Sequence, residues 1–106
     1  MLHATNDLVG LTLARTIASR LADHPEWIEL ARGNLRRWKL RNAGSRSVVN
    51  YDEWLAILEK PAAEVMAIYT QETDEGQRLR QNSPFGGAIT PQEVWAMKER
   101  CRRGTI

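Results

Sequence analysis

The sequence predicts an all-α protein: a compact array of about five short helices forming a single domain over residues 1–106. Three observations predict it. Apolar residues recur every three or four positions over most of the chain, and no stretch alternates convincingly at period two. Proline, glycine and capping residues cut this pattern into pieces of helix length. The connections left between the pieces are short, as in compact helical domains.

The first element spans about residues 6–23. Asn6-Asp7 opens it, and Val9, Leu13, Ile17 and Leu21 then repeat every fourth residue along one face. Asp23-His24-Pro25 stops it and starts the next. Proline fits a first helical turn, because the amide it lacks would be unpaired there anyway. Trp27, Leu30, Ala31, Leu35 and Trp38 continue at helical spacing to about Arg41, where Asn42-Ala43-Gly44-Ser45 ends the helix. Asn50 and Glu53 have the spacing of a capping box before Trp54, Leu55 and Leu58. Lys60-Pro61 breaks that helix, and Val65, Met66 and Tyr69 form another apolar face. Glu75-Gly76 reads as a weak interruption before a short helix over 77–81. Ser83-Pro84-Phe85-Gly86-Gly87 is the clearest loop. Thr90-Pro91-Gln92-Glu93 is the strongest start signal, and Val94, Met97 and Cys101 line the face that follows, to Gly104.

Apolar residues make up 42% and charged residues 26% of 106, which excludes a disordered tail, a collagen-like fibre and a disulfide scaffold. The longest uncharged apolar stretch, Leu8 to Ala14, is far below the ~20 residues of a membrane span. The first residues show no basic-then-apolar pattern, so no signal peptide is expected. The single cysteine, Cys101, fits a reducing cytoplasm. The net charge of +2 conceals a segregation. Residues 32–46 carry Arg32, Arg36, Arg37, Lys39, Arg41 and Arg46 and no acid, whereas residues 50–76 carry seven acids against Lys60 alone. The chain turns basic again after residue 77. Such a layout either pairs internally or presents a basic surface to an anionic partner.

The sequence shows no reaction chemistry, and the expectation is a protein that is not an enzyme and carries no metal or cofactor. The histidines are His3 and His24, and with one cysteine they make no zinc or iron spacing. No serine or cysteine is placed beside a histidine. Gly86-Gly87 lacks the lysine and strand of a phosphate loop. Asp52-Glu53 and Asp74-Glu75 are adjacent pairs, which point apart on a helix.

Two groups of residues remain as binding candidates. Arg36, Arg37, Lys39, Arg41 and Arg46 surround Trp38 and precede a turn, as before a recognition helix of a helix-turn-helix DNA-binding regulator. Asp52 and Glu53 in the following helix would repel phosphate. Among the tryptophans, Trp27, Trp38 and Trp54 are expected in the core. Trp95 lies off the face formed by Val94, Met97 and Cys101 and is expected at the surface, where it would anchor a partner.

The segment 76–91 combines Arg78 and Arg80 on one helix edge, a proline turn with an exposed Phe85, and a well-capped helix. With the short all-helical chain, it resembles the antitoxins of zeta-type kinase toxins and Fic-type toxins, and the related effector chaperones. The inhibitory motif of the Fic type, Ser or Thr, three residues, then Glu-Gly, is not matched. From Ser83 the glutamate position holds Gly87, and Glu75-Gly76 is preceded at the required distance by Gln71. The resemblance implies a cytoplasmic binding protein that covers its cognate toxin's active site, with Arg78 and Arg80 meeting acidic groups and Phe85 and Trp95 filling apolar pockets. The DNA-binding regulator, acting on the operator of the same operon, is the alternative. A self-associating subunit without another partner is the third reading.

Overall fold

The computed structural model describes residues 2–104, and side chains from Asn6 onward. It holds six α-helices and one 3-10 turn, and no strand occurs among the described residues. The helices are α1 (Leu2–Arg20), α2 (Trp27–Arg41), α3 (Ser47–Ile57), α4 (Ala62–Tyr69), α5 (Asp74–Gln81) and α6 (Pro91–Arg103). The all-α expectation holds, with one helix more than the five expected.

Of the predicted face of α1, Ile17 is buried, Leu21 is buried just beyond the helix end, and Val9 and Leu13 are half-buried, while Ala14 beside them is fully buried. The helix begins before Asn6, which with Asp7 lies inside it. No proline or glycine precedes Gly10, so nothing in the sequence stops the helix at Asn6. A 3-10 turn, Leu21–Asp23, then carries the chain to Pro25. His24 stacks on Trp27 with ring centroids 4.4 Å apart.

Helix α2 buries Trp27, Ala31, Asn34 and Leu35 and stops at the predicted place. The Asn42 side-chain amide donates to the Trp38 carbonyl at 3.0 Å, and Gly44 turns with φ of +83°. The expected capping box at Asn50–Glu53 is not formed. Helix α3 already starts at Ser47, because Arg46 keeps a helical backbone (φ −66°, ψ −24°) and winds the turn directly into the helix. Pro61 separates α3 from α4, as predicted, with an extended ψ of 145°.

The weak interruption expected at Glu75-Gly76 is instead the first turn of α5. Thr73 Oγ1 accepts from the Gly76 amide at 3.1 Å, so the cap lies three residues before the glycine. The start of α6 is as predicted: Thr90 Oγ1 accepts from the Glu93 amide at 3.2 Å, and Pro91 is in the first turn. Gly104, with φ of +74°, ends the helix in the left-handed conformation that glycine adopts without steric cost.

The hairpin of α2 and α3 lies at one side, while α1 runs against α4, α5 and α6. One core joins them. Its centre is Trp54, whose indole N–H donates to the Leu79 carbonyl at 3.0 Å. Tyr69 and Phe85 meet the Trp54 ring edge-on, with centroids 5.5 and 6.2 Å away. Such edge-to-face pairs add to the large apolar area that each ring buries.

Candidate partner-binding surfaces

The segment 76–91 is shaped mostly by contacts within the fold. The guanidinium of Arg78 reaches two carboxylates. It donates to both oxygens of Glu53 on α3 at 2.9 Å each, and to Glu75 one turn before it at 3.0 and 2.8 Å. These charged hydrogen bonds hold the Glu53 and Glu75 carboxyls below the usual range, and push Arg78 up. Arg80 donates from Nη1 to the Tyr69 carbonyl at 3.0 Å and the Gln71 carbonyl at 2.7 Å. It thereby ties α5 to the chain leaving α4. Both arginines are half-buried.

Phe85 was expected to be exposed and is not. Only 3% of it is accessible, because the loop folds back onto the domain. Asn34 of α2 is responsible. Its side-chain amide donates to the Pro84 carbonyl at 2.8 Å and the Gly86 carbonyl at 3.0 Å. That clamp turns Phe85 inward against Tyr69 and Trp54. Tyr69 is itself so deeply buried that its phenol is pushed up to about 12, although its hydrogen bond to Ser83 opposes the rise.

Trp95 stands out from the same region. It is 64% exposed on α6, whose inward face is occupied by Met97 and Cys101. Lys98 and Arg102, three and seven residues on, share its face and are exposed. Glu93, on the opposite edge, takes both guanidinium nitrogens of Arg20 at 2.9 and 2.5 Å and fixes α6 to α1. Arg20 holds the Glu93 carboxyl below the usual range.

The second basic group lies on the α2–α3 hairpin. Arg36, Arg37, Arg41 and Arg46 are exposed. Arg37 hydrogen-bonds Asn34, and Lys39 is tied to Asp52 of α3 at 2.6 Å. Arg36, Arg41 and Arg46 meet no carboxylate among the described residues. Leu40 and Val49, on the same two helices, are 82% and 71% exposed. Trp38 is half-buried against Tyr51, with centroids 5.7 Å apart.

The internal-pairing reading of the charge layout thus accounts for much of the acidic stretch. Asp52, Glu53 and Glu72 reach Lys39, Arg78 and Arg15 respectively. Among the described residues no three histidine, cysteine or acidic side chains come together. The His3 side chain lies outside the described ones. No described helix is long and apolar enough to cross a membrane.

Two features escaped the sequence reading. Asn34 occupies a core position of α2, three residues after Ala31, and a polar residue there was the available signal. The exposure of Leu40 and Val49 carried no signal, since both types usually mark the core. Comparison with protein families, curated proteins and solved structures finds no match for this chain.

Proposed function

We propose that this chain is a small helical binding protein of the antitoxin type, which neutralises a cognate toxin by covering the toxin's active site. The observation that carries this reading is Trp95, a large aromatic side chain presented on a rigid, well-capped helix and flanked by Lys98 and Arg102. Rigid aromatic anchors of this kind supply most of the energy at protein interfaces. Arg78, Arg80 and Phe85 contribute to the fold behind this surface, Arg78 by joining α5 to α3, Arg80 by tying α5 to the chain leaving α4, and Phe85 by packing on Trp54 and Tyr69. The test is co-purification from the native host, followed by a growth assay of the captured protein. The intact chain should suppress its toxicity, and Trp95→Ala should not, with helix content unchanged. Equal protection by both would remove Trp95 from the interface.

A second reading, a DNA-binding regulator, is favoured by a separate observation. Arg36, Arg41 and Arg46 are exposed on the helix–turn–helix hairpin of α2 and α3 without partners among the described residues. The two acids that would repel phosphate are already engaged, Asp52 by Lys39 and Glu53 by Arg78. Binding through several phosphates weakens steeply with salt, whereas an interface centred on Trp95 persists.

A further inference from the structure

A slot of about 210 Å³ opens between α1, α5 and the loop 83–89. Its apolar lining is Leu13, Ile17, Phe85, Ile89 and Val94. Its lining also includes Arg80, Ser83, Tyr69, Gly86 and Gly87. These groups have a surplus of donors. Arg80 spends the two hydrogens of Nη1 on the Tyr69 and Gln71 carbonyls, which leaves Nε and Nη2 without an acceptor among the described residues. Tyr69 Oη and Ser83 Oγ lie 2.6 Å apart. One hydroxyl hydrogen is taken up between them, so the other remains to be donated. The amides of Gly86 and Gly87 also have no acceptor among the described residues. No carboxylate lines the slot to satisfy any of these groups.

An always-charged guanidinium with its Nε–Nη2 edge free presents two parallel donors, the geometry that a carboxylate matches. Arg80 also lines two neighbouring crevices, one carrying Asp7 and the other Asp7, Glu72 and Asp74, so an anion is favoured in the slot, which carries no acid, and not in those. The apolar wall requires the same ligand to bring a hydrocarbon group. We propose that the slot binds a small amphipathic carboxylate, with its tail against Ile17 and Val94 and its charge at Arg80 and the glycine amides. A free aliphatic acid and an acidic side chain of a docking segment both supply such a carboxylate, and the two sources share this chemistry.

The test is a titration of the isotope-labelled full chain, followed by amide and guanidinium resonances. The probes are hexanoate, hexanamide of the same shape, and a capped Leu-Asp dipeptide. Saturable shifts are expected at Gly86, Gly87 and Arg80 Nε. Hexanoate should bind roughly tenfold or more tightly than hexanamide, the worth of one charged hydrogen bond. Val94→Phe, which fills the apolar end and leaves the donors intact, should abolish the shifts while circular dichroism is unchanged. Preference for hexanoate assigns the site to free acids, and preference for the dipeptide assigns it to an acidic segment. Equal affinity for hexanoate and hexanamide, or no saturable shift with hexanoate or the dipeptide, overturns the proposal, and neither comparison depends on a variant folding.

Discussion

Phe85 and Trp95 are both aromatic, lie ten residues apart and have opposite fates. Phe85 is 3% exposed and Trp95 64%. Removing the Phe85 ring leaves a hole between Trp54 and Tyr69, so Phe85→Ala should cost about 3–5 kcal/mol in urea denaturation. Trp95→Ala should stay within about 0.5 kcal/mol, the range of surface changes. A large loss at Trp95 would place it in the core and remove the anchor. The sequence revealed the exposure of Trp95, because the buried face of its helix was already complete. It could not reveal the burial of Phe85, which depends on Asn34, fifty residues away along the chain. Gly76 makes the same point. In most helices Gly→Ala gains up to about 1 kcal/mol. Here a Cβ would collide with the Gln71 carbonyl, backbone that cannot swing aside. Gly76→Ala should therefore destabilise the protein, seen as a lower thermal midpoint, and a gain would mean that the turn 70–73 relaxes freely.

Helix boundaries were legible where a side-chain cap marked them, as Asn42 does at the end of α2 and Thr90 at the start of α6. They were less so where a start had no side-chain cap. Asn50 and Glu53 have the spacing of a capping box, yet both lie inside α3, since the turn at Arg46 already has helical dihedrals. The carboxylate of Glu53 is turned to Arg78 and joins α3 to α5. That contact makes a pH prediction. Arg78 lowers the Glu53 pKa in the folded state, so the unfolded chain binds the proton more readily. The resulting stabilisation is complete above the ordinary glutamate value of about 4.3, and is lost as pH falls through that value toward the lowered one. Glu53→Gln removes this contribution. The gap in urea midpoint between wild type and Glu53→Gln should be constant above about pH 4.3 and close below it. Both groups are partly exposed, so the gap is expected to be small. A gap unchanged at low pH would show that the glutamate acts through packing and not through its charge.

Across the whole molecule, charge divides into a part that holds helices together and a part that has no internal use. Arg20, Lys39 and Arg78 each join two helices, and Arg15 joins α1 to the link between α4 and α5. Arg36, Arg41 and Arg46 join nothing among the described residues, and Leu40 and Val49 on the same two helices are exposed. Reversing all three to glutamate should therefore leave stability within about 0.5 kcal/mol per site, because no internal pair is broken. Its effect on binding depends on the partner. For duplex DNA, each lost phosphate contact reduces the slope of log affinity against log salt by about 0.9, so fluorescence anisotropy across a salt series should show a much shallower slope and weaker binding. For a toxin seated on α6, the same triple variant should still form the complex, and Trp95→Ala alone should break it. The two variants thus exchange phenotypes between the two readings. A salt slope that survives the triple reversal would move the phosphate contacts to α6, where Lys98 and Arg102 flank Trp95, and one helix would then serve both partners in turn.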